Sequence, residues 1–137
     1  MVRTAFFAVA AGALVLRALP GRAAGMMLES EITAKNVDEA VVFTVRLTNR
    51  SDRDVIMRFT SAARLALLVC DSSRTVIWDS TADRMFAAVT AETIVPAGGS
   101  QTFSETWPRP PAHGSFIVHG SVRALPPVAL PERTFTR

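Results

Sequence analysis

From Val41 to Thr48 the chain alternates, with Val41, Phe43, Val45 and Leu47 on one side and Val42, Thr44, Arg46 and Thr48 on the other. A period of two fits a half-buried β-strand and no helix. The constraint is severe, because a one-residue slip in register would carry every member of the apolar row into water. Burying that row contributes about 1.5 to 3 kcal/mol per side chain before entropy is subtracted. The same period recurs wherever the apolar pattern after residue 28 is readable, which predicts a mainly β domain.

Strands are expected at Val55 to Thr60, Leu65 to Asp71, Thr75 to Asp79, Glu92 to Val95, Ser100 to Trp107 and Ser115 to Arg123, with weaker signals at Leu28 to Thr33 and Arg133 to Thr136. Seven to nine short strands at this spacing predict an antiparallel β-sandwich. Asn49-Arg50-Ser51-Asp52 supplies a turn, since Asn and Asp side chains bond nearby backbone amides and tolerate the left-handed region. Pro96-Ala97-Gly98-Gly99 supplies another through a preset proline dihedral and a glycine free to adopt positive φ. No proline interrupts Ala40 to Val95, so strands there are free to take central positions.

Ahead of the strands stand basic Met1-Val2-Arg3, an apolar and small stretch from Thr4 to Leu16, and Pro20-Gly21-Arg22-Ala23-Ala24-Gly25. That order predicts a signal peptide over 1–25, with cleavage near 23–25, and a single domain over 26–137. The apolar run falls short of the roughly 20 residues that span a bilayer, so no stable membrane insertion is expected after cleavage. The mature domain is expected to be secreted or periplasmic. Arg3, Arg17 and Arg22 carry the whole net charge of +3; without them 12 basic residues face 12 acidic ones. A near-neutral domain with no basic cluster excludes nucleic acid as a partner.

The lone Cys70 lies in Leu65-Ala66-Leu67-Leu68-Val69-Cys70, apolar on both alternating faces, and reads as a sequestered small hydrophobe. Catalytic chemistry finds no support. His113 and His119 stand in no metal-binding spacing, and His119, alternating with Ile117, is expected on a solvated face. There is no G-x-S-x-G elbow. Asp52-Arg53-Asp54 is too short for a calcium loop. Neither an enzyme, a cofactor nor a metal site is expected. Asn49-Arg50-Ser51 matches a glycosylation acceptor formally but is read as turn chemistry.

Trp78 and Trp107 each close a strand-like run. The order Phe43-Thr44-Val45-Arg46-Leu47-Thr48-Asn49, Val76-Ile77-Trp78, Phe86, Ile94-Val95-Pro96-Ala97-Gly98 and Phe103 to Trp107 resembles the intracellular proteinase inhibitor (BsuPI) family. The resemblance runs from Phe43 to Trp107 and continues toward Gly114-Ser115-Phe116-Ile117-Val118. It implies an immunoglobulin-like sandwich and inhibition of subtilisin-type serine proteinases. Two departures stand out. Asp71-Ser72-Ser73-Arg74 lacks the glycine that similar sequences place in the hairpin. Glu105 shares the face of Phe103 and Trp107, where an apolar residue is expected, and an ionised carboxylate there needs water or an arginine.

A sandwich without catalytic groups acts by presenting loops, and a loop ordered beforehand avoids an entropic cost on association. The connection Ser80 to Ala88 has neither glycine nor proline, and within it Asp83, Arg84, Met85 and Phe86 are the candidate contact residues, with Met85 and Phe86 offered to a cleft. Phe86 recurs in the family pattern and also suits a plug at the end of the sandwich. The leading expectation is a monomeric inhibitor of a subtilisin-like proteinase. The alternative is an envelope-located immunoglobulin-like protein-binding module without inhibitory activity.

Overall fold

A computed structural model of the chain describes residues 28–137. The expected leader and its cleavage site lie outside the described residues. The described residues form nine strands and no helix: β1 (Leu28–Val37), β2 (Ala40–Asn49), β3 (Val55–Phe59), β4 (Leu65–Cys70), β5 (Val76–Asp79), β6 (Ala91–Val95), β7 (Ser100–Trp107), β8 (Ser115–Val122) and β9 (Val128–Thr136). They assemble into an antiparallel immunoglobulin-like sandwich. One sheet has the order β1-β2-β7, the facing sheet β5-β4-β8-β9, and β3 and β6 pair as a short third ribbon.

The alternating row of β2 forms the centre of the core, for Val41, Phe43, Val45 and Leu47 are wholly buried. Leu67, Val69, Phe116, Val118 and Val122 meet it from the facing sheet, and Val55, Met57, Phe59 and Val95 enter the same cluster from the ribbon. Aromatic rings join the layers at one end. Trp78 stacks between Phe43 and Trp107, both at 5.8 Å between centroids, and Trp107 meets Phe116 edge-on at 5.5 Å. Offset and edge-on contacts of this kind add about 0.5–1.5 kcal/mol to plain burial. Trp107 is buried, while Trp78 is partly buried and packs against the core.

The two strands with weak sequence signals are longer than expected, for different reasons. β1 runs on to Val37 because Asp38 adopts a left-handed φ of 53° and closes a hairpin onto Ala40 without any glycine. β9 begins at Val128, upstream of Pro131. Val118 pairs with Arg133 and Gly120 with Leu130, so Pro131 and Glu132 bulge opposite His119. An edge strand tolerates a residue with no N–H at such a bulge. Gly120 is required on the other side of that step, since a Cβ there would collide with the Ala66 carbonyl oxygen.

The glycine-free hairpin after β4 places Arg74, at φ 66°, in the left-handed position. The Asp71 carboxylate organises the turn by accepting bonds from Ser73 N (2.9 Å), Ser73 Oγ (2.7 Å) and Thr75 N (3.0 Å). Pro96 to Gly99 turns as expected, with Gly98 at φ 74° and Gly99 N donating to Pro96 O. It joins strands that do not pair with each other, because β6 is bound to β3 and β7 to β2.

Candidate functional site

The connection from β5 to β6 begins on a firm root. Ser80 is 1% exposed; its Oγ accepts Leu67 N and its own N–H donates to Leu67 O, each at 2.9 Å. A serine can be buried there because its bonds replace those the next ladder residue would have made. Asp79 then turns the chain, its Oδ1 accepting both Thr81 N and Thr81 Oγ1 at 2.9 Å. Asp83 takes a left-handed φ of 56°, a conformation that a short polar side chain tolerates better than most.

Arg84 ties the loop back down. Its Nη1 donates to Ser80 O at 2.8 Å and to Glu105 Oε1 at 3.0 Å. That pair resolves the misfit of Glu105. This residue stands opposite Phe43 in the β2–β7 ladder, on the core side of an edge strand, and the arginine of a neighbouring loop neutralises it. Both answers open to the sequence, water and an arginine, hold together, since the carboxylate on this edge strand keeps 20% exposure beside Arg84. The Arg84 guanidinium also lies 4.7 Å from the centre of the Phe86 ring. Three residues on, Ala87 O accepts a bond from Ala62 N at 2.9 Å, which anchors the far side of the loop to the corner between β3 and β4.

The four candidate residues therefore have different environments. Asp83 is exposed and shapes the turn, Arg84 is engaged in the clamp, and Phe86 is half-buried. Met85 is 100% exposed. The sequence offered Met85 and Phe86 together, and the fold separates them. Beneath the loop an open cleft of ≈ 320 Å³ is lined by Trp78, Asp79, Arg84, Glu105, Thr106 and Pro108, among others. The root at Ser80 and the tie at Ala87 left no signal in the sequence, because their partners Leu67 and Ala62 contribute only backbone atoms. Asp79-Ser80-Thr81 did carry one, as an Asx-type turn.

The remaining reactive side chains lie elsewhere. Cys70 is buried, as its flanks predicted, and its Sγ is 3.7 Å from His119 Nε2. His119 is half-buried against that sulfur, where a solvated face was expected. Asn49 is wholly buried: Nδ2 donates to Arg53 O and Val95 O, and Oδ1 accepts Ser51 N and Ser51 Oγ. Its amide is consumed by the turn. Among the described residues no group of His, Cys, Asp or Glu is arranged to hold a metal ion, and no helix is long and apolar enough to cross a membrane.

The sequence pattern of the intracellular proteinase inhibitor family (BsuPI) matches residues 28–126, well over half of the chain and beyond the span legible by eye. The chain belongs to the intracellular proteinase inhibitor family. Membership makes it an inhibitor, not a catalyst, with a proteinase as its partner. No curated protein matches the chain. Among solved structures, it is similar to an ApaA protein from Bordetella pertussis at 19% identity, covering 80% of this chain and 90% of that one with a TM-score of 0.45. A penta-heme cytochrome c552 from Thermochromatium tepidum matches at 12% identity over 91% of this chain and 41% of that one, TM-score 0.49. A PapD-like domain of human CEP192 matches at 18% identity over 80% of each chain, TM-score 0.32. At these scores the structural likenesses add no argument about function.

Proposed function

We propose that this inhibitor acts on a subtilisin-type serine proteinase, outside the cytoplasm, by presenting the loop Ser80 to Ala88 through Asp83, Arg84, Met85 and Phe86. The observation that carries the reading is a loop tied down on both sides of a fully exposed apolar side chain. Holding a segment in place before contact removes part of the ordering cost that otherwise weakens binding. Subtilisin-type enzymes accept large apolar side chains, so Met85 suits such a target. Export rests on the basic, apolar and small order of the first 25 residues.

Titrating the purified protein into a panel of subtilisins tests the target class, with stoichiometric loss of peptidase activity expected. Absence of inhibition at micromolar concentration would remove it. The N-terminal mass of the protein recovered from expressing cells tests export, a start near residues 24–26 being expected. A second reading, an envelope-located immunoglobulin-like binding module, draws on the outer face of the β3–β6 ribbon. There Ile56 and Ile94 pair across the strands at 48% and 57% exposure. Pull-downs from envelope extracts that return only partners other than proteinases would favour it.

A further inference from the structure

Within the proposed inhibitory loop, and resting on that reading, we propose that Met85 is the specificity-determining residue. It alone would enter the primary substrate pocket of the target, which makes the partner a proteinase with a deep, uncharged pocket. Three observations converge on this side chain. Met85 is 100% exposed, while the next most exposed large apolar residues, Ile94 and Leu125, reach only 57% and 56% and stand outside this loop. Its neighbours are committed: Arg84 to Ser80 O and Glu105, and Phe86 to the underside of that guanidinium. The flanking ties at Arg84 and Ala87 limit the freedom of the two residues between them.

A fully exposed methionine has no role in holding this fold together, since it buries nothing. Its thioether chain is unbranched and polarizable, and it fills irregular apolar cavities well. Such a chain is a poor guest for a pocket floored by a carboxylate, which selects lysine or arginine. The chemistry of the partner therefore follows from the one side chain the loop leaves free. Glu105 serves as a positioning residue, because it acts on the loop by holding Arg84.

The inference is tested by measuring inhibition constants of the wild-type protein and of Met85→Ala, Met85→Lys and Glu105→Gln against a subtilisin and against trypsin, with thermal unfolding recorded in parallel. The unfolding midpoint is expected to stay unchanged in both Met85 variants, which shows that they fold. Met85→Ala should weaken inhibition of the subtilisin by about 30-fold or more, the scale of a dominant interface residue. Met85→Lys should acquire inhibition of trypsin that the wild type lacks. Glu105→Gln should weaken inhibition of the subtilisin while leaving the preference between the two enzymes as it is.

If the wild type inhibits the subtilisin and both Met85 variants match it, the inference is overturned while the inhibitory function stands on another surface. Loss in Met85→Ala without any gain in Met85→Lys also overturns it, reducing Met85 to a peripheral contact. Inhibition of trypsin by Met85→Lys when the wild type spares every subtilisin would support the assignment of Met85 and remove the subtilisin target. Inhibition by none of the proteins of either enzyme removes both.

Discussion

Two connections in this domain start from the same device and end differently. The turn after β2 and the loop after β5 are each rooted by a buried polar side chain, Asn49 and Ser80, the only two among the described residues. Asn49 spends its amide within its own surroundings, on Ser51, Arg53 and Val95, so the turn closes on itself and presents no apolar side chain. The Ser80 hydroxyl is bonded to the backbone of Leu67, and the chain beyond it is held at separate points, through Arg84 and Ala87. Between those points a side chain is left wholly in water. A buried polar anchor can thus either seal a connection or brace it, depending on where the remaining ties fall.

The largest expected effect separates the two roots. Asn49→Ala leaves the buried Val95 carbonyl without its side-chain donor and Ser51 N without its acceptor, and should cost about 3 kcal/mol, since each abandoned group loses roughly 1–3 kcal/mol. Urea denaturation should show a lower midpoint with an unchanged slope. The folded protein should keep its inhibition, and a loss of inhibition in the folded state would break the contrast.

Ser80→Ala removes one buried bond, to Leu67 N, and should cost about 1–2 kcal/mol by the same measurement. Unlike the Asn49 variant, it should also weaken inhibition, because the brace of the loop loosens. Equal inhibition by Ser80→Ala and wild type would show that the root is as self-contained as the turn.

Glu105→Gln should change stability by less than about 1 kcal/mol, since the pair with Arg84 is partly open to solvent and screened. Raising the salt concentration should shrink the difference between this variant and wild type.

The smallest effect concerns a third connection, the hairpin after β4. The bond from Ser73 Oγ, followed by that from Thr75 N, holds the Asp71 carboxyl below its ordinary value of 3.8. Arg74 does the same for Glu132 by hydrogen bonding and charge, and Glu132 in turn raises Arg74. A depressed carboxyl contributes stability that is fully present above its unfolded value and is lost as pH falls through the folded one. The acid limb of the stability curve should therefore steepen only below the ordinary carboxyl range. Asp71→Asn should flatten part of that limb, with a small loss of stability at neutral pH that shrinks as pH falls and the wild-type carboxyl is itself protonated, as a pH series of thermal midpoints would show.

The parts of this fold that were legible in the sequence are those whose cause is local. The alternation of β2, the Pro96 to Gly99 turn and the apolar flanks of Cys70 each state their outcome within a few residues. The ends of β1 and β9 did not, because Asp38 reverses the chain without a glycine and Pro131 is admitted only by a bulge against β8. His119 alternates as a surface residue does, yet it is half-buried against Cys70 of the neighbouring strand. At the candidate site the loop, its four residues and the odd charge of Glu105 could be singled out. Which side chain faces water could not.

That last distinction marks the general boundary. Backbone dihedral preference and a period of two belong to neighbours along the chain, so an all-β sandwich and its turns are written in short windows of residues. The choice of Arg84 for Glu105, of Ala62 for Ala87 and of solvent for Met85 depends on strands that meet only after the sheets have packed. A side chain's freedom is set by what surrounds it in space, and those surroundings come from residues scattered over the whole domain.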